Sequence, residues 1–122
     1  ENLKINNFSV LPGSESKLYK GLQLGCSGII TATCNATCEL ARKVYDDFYA
    51  GNEQTVNQKL CDVRNIFEKY NLISGLHTYY SKKDQFYKNV LPPLSILNSK
   101  DEKELIDNLN RLNFSIKSLM AA

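Results

Sequence analysis

Two short polar segments carry the residue types best suited to binding a small ligand. The first, Pro12-Gly13-Ser14-Glu15, combines a glycine that permits close backbone approach with a hydroxyl and a carboxylate. The second, Thr31-Ala32-Thr33-Cys34-Asn35, carries hydroxyls and an amide. Each follows a predicted strand and precedes a predicted helix, whose first amide groups attract anions. Together they form a candidate site for a small polar or carboxylate-bearing ligand. Spacing alone favours the alternative interpretation, in which Ser14 is only a helix cap and Asn35 only a turn residue.

The sequence contains no complete catalytic motif. Gly-x-Ser-x-Gly, phosphate-loop and Gly-x-Gly-x-x-Gly patterns are absent, and His77, the single histidine, cannot form a triad alone. An imine-forming enzyme needs a lysine whose pKa is lowered by burial or charge, and no lysine lies within a predicted strand. We therefore assign no catalytic residue to this chain, and we predict that His77 is a packed or surface helix residue.

Four cysteines raise the question of disulfides or a metal site. They are Cys26, Cys34, Cys38 and Cys61. A disulfide framework suits a secreted domain that lacks a core, whereas this sequence is rich in apolar helix-forming residues. Cys34 and Cys38 are one helical turn apart, but there is no Cys-x-x-Cys pair and His77 is distant in sequence. We predict free, mostly buried thiols, no metal and no cofactor.

Length and charge limit the classes of partner. The 122 residues suffice for about one ordinary domain, and 43% are hydrophobic. Lys and Arg number 15 against 13 Asp and Glu, and a net charge of +2 is too small for a nucleic-acid-binding surface. No apolar run approaches a membrane span, and residues 1–7 lack a signal-peptide layout. We expect a cytoplasmic protein without nucleic-acid or membrane partners.

The predicted elements begin with a strand, a helix and a second strand, at residues 7–11, 15–24 and 28–33. Helices follow at residues 37–50, 53–70 and 73–80, and a last helix begins with a capping box formed by Ser99 and Glu102. Strand, helix and strand normally form a right-handed crossover between parallel neighbours. Two parallel strands leave two unpaired edges, so we predict an α/β fold that is part of a larger sheet or barrel.

The order of these landmarks resembles the dihydrodipicolinate synthase / N-acetylneuraminate lyase family. Residues 8–15 and 21–35 resemble its seventh and eighth βα units. Residues 41–52 are similar to its eighth barrel helix with the closing Gly51. Residues 71–77 and 90–94 resemble landmarks of its C-terminal helical extension. The resemblance implies the C-terminal part of a (β/α)8 TIM barrel, with its last two βα units in residues 1–51 and a helical extension in residues 52–122.

The resemblance also implies a chemistry. Family members are class I aldolases and lyases that bind pyruvate or another 2-oxo acid as an imine on a lysine of the sixth strand, assisted by a tyrosine from an earlier loop. Both positions would precede residue 1, so we expect this chain alone to be inactive and the rest of the barrel to be its partner. The usual family assembly is a homotetramer or dimer.

Six residues take on expected roles at the substrate. The resemblance implies that Gly13, Ser14 and Glu15 help to define the pocket and that Ile30 borders the 2-oxo acid through its backbone. Thr31 and Ala32 would line the pocket beside it. Ser14 stands where the family often has Asp, and Ala32 where lyases have Ser.

These departures keep other functions open. A 2-keto-3-deoxy sugar acid aldolase and an N-acetylneuraminate lyase-like activity are the catalytic alternatives, and a non-catalytic helical interaction module is the third. One further expectation comes from the helices after Gly51, which have an apolar stripe formed by Val56, Leu60, Val63, Phe67 and Tyr70. We expect some of these residues to meet another subunit or the rest of the barrel.

Overall fold

Helices provide the regular structure of residues 7–115, which are the residues that the computed structural model describes. The α-helices in this range are α1 (Leu18–Gln23), α2 (Cys34–Ala50), α3 (Asn57–Glu68), α4 (Leu72–Ser81) and α5 (Ser99–Arg111). Short 3-10 helices cover Glu15–Lys17 and Gln85–Lys88. None of the helices described is both long and apolar enough to cross a membrane.

The first of two compact units ends at Arg64, and in it α1 packs against α2. Its core is formed by the buried side chains of Leu18, Leu22, Ala41, Val44 and Leu60. Residues three and four positions apart share one face of a helix, so each helix presents a continuous apolar stripe to this core. The helix predicted at residues 37–50 is therefore present as α2, with Ala41 and Val44 on its buried face.

Helix ends follow the local chemistry of their capping residues. Gly51 closes α2 with a φ of 71°, in the left-handed region that favours glycine, as the sequence predicts. Its N–H donates to the Phe48 carbonyl at 3.2 Å. Asn71 begins α4, where its side-chain oxygen accepts from the Ile73 and Ser74 amides at 3.1 Å each.

The two predicted strands are not formed within residues 7–115, where the corresponding segments are extended but irregular. They run side by side in the same direction and share two backbone hydrogen bonds, from Ser27 N to Val10 O at 2.9 Å and from Ile30 N to Pro12 O at 3.2 Å. From one bond to the next, the first segment advances two residues and the second three. Gly28, with a φ of 151°, lies in the longer step. A regular parallel ladder needs equal steps, so these two bonds do not form one within the described residues.

Three predicted helix starts also need correction, the first being that of α3, which begins at Asn57 rather than at residue 53. Helix α2 begins at Cys34 rather than at residue 37. The prediction missed the first turn because that turn is polar and lies outside the apolar periodicity. The predicted capping box is wrong by one residue, since Asn98 and not Ser99 precedes the first turn of α5. The Asn98 side-chain oxygen accepts from the Asp101 amide at 2.9 Å. Asn is as good a cap as Ser, so the sequence pattern alone did not choose between them.

The second unit, from Asn65 onwards, is organised around aromatic contacts. Phe67 meets Tyr79 edge-on with ring centroids 5.7 Å apart, and Tyr79 stacks on Phe114 at 5.9 Å. Helix α4 packs against α5, whose Leu105 is fully buried. His77 lies on α4, half-buried, with Nδ1 at 2.8 Å from the Tyr87 carbonyl oxygen, which confirms its prediction as a helix residue.

Two further expectations concern burial. All four cysteines are free, as predicted, but only Cys26 is buried, so the expectation of mostly buried thiols is wrong. In the apolar stripe, Leu60, Val63 and Phe67 are fully buried by this chain itself. These three side chains therefore offer no apolar surface to another molecule.

The cap of α5 gives a direct test of the helix boundary. We expect Asn98→Ala to lower the free energy of unfolding by about 1 kcal/mol, because the Asp101 amide loses its acceptor. Ser99→Ala is the matched control and should change it by less than about 0.5 kcal/mol, as at other exposed sites. Urea unfolding followed by circular dichroism measures both. A larger loss for Ser99→Ala than for Asn98→Ala would restore the capping box predicted from the sequence.

Candidate functional site

The two polar segments singled out in the sequence lie next to each other in the first unit. The Ile30 amide donates to the Pro12 carbonyl, and a Cβ atom at Gly13 would lie 3.8 Å from the Ile30 carbonyl oxygen. The end of the first extended segment therefore borders the end of the second. The backbone contact brings Gly13 and Ser14 to the same place as Ile30 and Thr31.

A buried carboxylate ties these segments together. Glu15, the first residue of the Glu15–Lys17 turn, is completely buried. The Thr33 hydroxyl donates a short hydrogen bond to its Oε1, and the Thr37 hydroxyl donates to the same oxygen at 2.9 Å. Thr33 precedes α2 and Thr37 lies in the second turn of that helix. The carboxylate of the first segment is thus held by hydroxyls that follow the second.

Arg64 supplies the charge that this carboxylate needs. It lies on α3, its side chain is 8% exposed, and its Nη1 atom is 3.2 Å from Glu15 Oε2. The same nitrogen donates to Thr33 Oγ1 at 2.9 Å and to Thr31 Oγ1 at 3.4 Å. A buried ion pair is favourable only when further hydrogen bonds satisfy both partners, and the threonines provide them.

The donors and acceptors fix the direction of the hydroxyl protons. Thr33 gives its single proton to Glu15, so at its 2.9 Å contact with Thr31 it must accept. Thr31 therefore donates to Thr33 while Arg64 donates to Thr31. We call Glu15, Thr31, Thr33, Thr37 and Arg64 the buried polar cluster.

The cluster sets the protonation of its members. Burial raises the pKa of the Glu15 carboxyl, but hydrogen bonds from Thr33, from its own backbone and from Thr37 outweigh burial, so the pKa falls below its usual 4.5. Burial raises the pKa of the Cys34 thiol, and the nearby Glu15 charge raises it further. Glu15 is therefore ionised at neutral pH, whereas Cys34 stays a neutral thiol.

The six predicted substrate residues divide by exposure. Gly13, Ile30 and Ala32 are exposed, with Ile30 at 71%, while Ser14 and Thr31 are half-buried. The Ser14 hydroxyl is 2.9 Å from the Ser16 hydroxyl, and it makes no capping hydrogen bond. Glu15 alone is enclosed, with both oxygens engaged by protein groups. The structure thus brings all six residues into one region, where Glu15 lies beneath the surface that the others form.

Three residues of the site were not predicted from the sequence. Arg64, Thr33 and Thr37 complete the cluster, and Arg64 is 49 residues from its carboxylate partner. The sequence does indicate a buried position for Arg64, which lies four residues after Leu60 and three before Phe67, on the apolar face of α3. A charged residue on a buried helix face requires a partner. Within residues 7–115, no group of three or more His, Cys, Asp or Glu side chains is placed to hold a metal ion.

Comparisons with known proteins point to one family. The model of the dihydrodipicolinate synthetase family matches residues 2–112. The crystal structure of dihydrodipicolinate synthase from Agrobacterium tumefaciens superposes with a TM-score of 0.70 at 18% identity, over 87% of this chain and 36% of that one. That likeness shows the fold, and the chain spans about a third of the length of that protein. A search of curated protein sequences finds no match.

The buried carboxylate predicts a specific pH dependence. We expect Glu15→Gln to destabilise the protein by about 3 to 5 kcal/mol at pH 7, because Arg64 stays buried without its counter-charge. Because the folded-state pKa of Glu15 lies below 4.5, its contribution is complete above that pH and is lost as the pH falls through the folded value.

Urea unfolding of both proteins from pH 7 to pH 3 measures this difference. The gap between wild type and Glu15→Gln should be constant down to about pH 5 and narrow below pH 4.5. Other carboxylates titrate in both proteins and cancel from the difference. A gap that is unchanged at pH 3, or that widens as the pH falls, would contradict an ionised Glu15.

Proposed function

The chain belongs to the dihydrodipicolinate synthetase family, and from that premise we propose that it is part of a lyase or synthase that binds pyruvate or a related 2-oxo acid as an imine. The observation that carries this proposal is the convergence of the two polar segments on one surface above the buried polar cluster. In this proposal the chain supplies part of the pocket wall.

The pocket wall has a polar and a backbone component. Ser14 offers a hydroxyl, and the backbone of Ile30 lies next to Gly13, where no side chain intervenes. A 2-oxo acid carries a carboxylate and a carbonyl, both of which accept hydrogen bonds from a hydroxyl such as that of Ser14. Ala32 adds a small exposed side chain, which leaves space for a second reactant.

We place the imine-forming lysine upstream of this chain. An amine that attacks a carbonyl must be unprotonated, which requires burial or a neighbouring positive charge. Among the described residues no lysine is buried; Lys43, for example, is half-exposed and forms an ion pair with Asp47. This supports a catalytic lysine on a part of the barrel that precedes residue 1.

Exposed apolar side chains on the extended segments support the presence of neighbouring barrel strands. Phe8 is 64% exposed, Leu11 42% and Ile30 71%. An open groove of about 390 Å³ is lined by Leu11, by Ile29 and by α2 residues from Cys34 to Tyr45. A flanking strand would bury this surface and give the irregular two-segment contact the neighbours that a parallel sheet needs.

Borohydride trapping tests the proposed function. The polypeptide that contains these residues together with an upstream barrel should gain the mass of a reduced pyruvyl adduct when borohydride is added with pyruvate. The adduct should map to a lysine before residue 1. The 122-residue chain alone, treated identically, is the control and should gain no adduct.

A panel of 2-oxo acids, including 2-keto-3-deoxy sugar acids and N-acetylneuraminate, extends the trapping test to the other substrates. Preferential adduct formation with one of them identifies the substrate class. The absence of an adduct with every 2-oxo acid tried would contradict imine chemistry and favour a non-catalytic module.

The free thiols of all four cysteines support the expected cytoplasmic location, since thiols persist in reducing compartments.

We also propose that the complete protein is a homo-oligomer, a dimer or a tetramer. The buried side chains of Leu60, Val63 and Phe67 cannot form the contact between subunits. The apolar surface that can form it consists of the exposed side chains of Ile73, Phe86 and Leu91 in the second unit. Leu91 is 83% exposed. Sedimentation velocity at micromolar concentration should show a species of at least twice the monomer mass, and a strictly monomeric protein would contradict the proposal.

A further inference from the structure

We propose that Glu15 and Arg64 are positioning residues for the 2-oxo acid site: their buried ion pair fixes the spacing between the Gly13-Ser14 loop and the Ile30–Ala32 segment and orients the Thr31 hydroxyl. This inference rests on the proposed function and adds a role for two side chains that are themselves enclosed.

The ion pair connects both sides of the proposed pocket wall. Glu15 directly follows Ser14, and Thr33 comes two residues after Thr31, so each side of the pocket wall has a cluster member next to it in the chain. The carboxylate of Glu15 joins the two sides through the Thr33 and Thr37 hydroxyls. Arg64 adds a third element, α3, to the same contact. Three separate parts of the first unit therefore meet at one carboxylate.

A shift of Glu15 relative to Arg64 carries a cost in free energy. Both charges are withdrawn from water, so a shift that lengthens their contact leaves two desolvated ions with weaker compensation. A hydrophobic contact tolerates sliding because it has no direction, whereas hydrogen bonds weaken steeply when the angle or distance changes. The ion pair with its hydroxyl donors therefore restricts the two segments to a narrow range of separations.

The ion pair also fixes the orientation of the Thr31 hydroxyl. Because Thr33 spends its proton on Glu15, Thr31 must donate to Thr33, and Arg64 Nη1 approaches the Thr31 oxygen at 3.4 Å. The Thr31 hydroxyl is thereby held in one rotamer and one proton orientation. Removal of either charge frees Thr33 to rotate, so the Thr31 hydroxyl, which donates to Thr33, loses its fixed direction and no longer anchors the Ile30–Ala32 segment to the cluster.

The test compares Glu15→Gln and Arg64→Met with the wild type in the complete polypeptide that includes the upstream barrel. We expect KM for the 2-oxo acid to rise about tenfold or more, as when other groups that orient a binding residue are removed. We expect kcat to change by less than about threefold, because the binding surface and not the lysine is disturbed.

Arg64→Lys is the conservative variant. Its ammonium keeps the charge and has three donors, as many as the contacts from Nη1 to Glu15, Thr31 and Thr33. It should restore KM to within about threefold of wild type. Arg111→Met removes an exposed arginine at the end of α5, bonded to Asn108, and serves as the control that changes neither constant.

A second readout does not depend on activity. Hydrogen–deuterium exchange of residues 14–17 and 30–33 should become faster in both segments together in Glu15→Gln and Arg64→Met, and in neither segment in Arg111→Met. If the pair only stabilised the fold, its removal would lower the melting temperature and leave KM and the local exchange of the folded protein at wild-type values. That result would overturn the inference.

The two proposals fail in distinguishable ways. If the wild type forms no borohydride-trapped adduct with any 2-oxo acid, the proposed function fails, and the exchange measurement still decides whether the ion pair holds the two segments. If the wild type forms the adduct but Glu15→Gln and Arg64→Met keep the wild-type KM, the proposed function stands and the positioning role is refuted.

Discussion

The first unit depends on the pairing of Glu15 with Arg64. Each charge alone would cost several kcal/mol to bury, and together they are tolerated only because Thr33, Thr37 and Thr31 satisfy the remaining hydrogen-bonding capacity. Apolar contacts among α1, α2 and Leu60 are not directional, so they do not by themselves define how these helices are aligned. The ion pair and its hydroxyl donors add directional contacts that join Glu15, the start of α2 and α3.

The sequence predicts the helices well and the strands poorly, for a physical reason. An apolar stripe such as Ala41 and Val44 is satisfied within the first unit, and Gly51 ends its helix through local geometry alone, so both can be predicted from neighbouring residues. The extended segments around Val10 and Ile30 have β-branched and apolar character, but a strand requires partners with regular register. Among the described residues each segment has only the other one, and the step at Gly28 breaks their register.

The candidate site shows the same division between local and distant information. The adjacency of Gly13, Ser14 and Glu15 with Ile30, Thr31 and Ala32 follows from a strand–helix–strand reading, and the backbone contact between Pro12 and Ile30 agrees with it. The ion pair does not follow from any local pattern, because 49 residues separate its members. Its one trace in the sequence is an arginine on the apolar face of α3, which indicates a buried partner of opposite charge without saying which of the acidic residues it is.

Burial of the pair also determines what the two loops present to their surroundings. A carboxylate in a loop that follows a strand would ordinarily give that surface a negative charge and repel an anionic ligand. Here Glu15 faces Arg64, so the charge is neutralised beneath the surface, and the hydroxyl donor left above it is that of Ser14, because Thr31 gives its proton to Thr33. A neutral hydroxyl does not repel a carboxylate-bearing molecule, whereas an exposed glutamate at the same position would. Neutralisation of Glu15 by Arg64 thus makes this surface electrostatically compatible with the proposed 2-oxo acid.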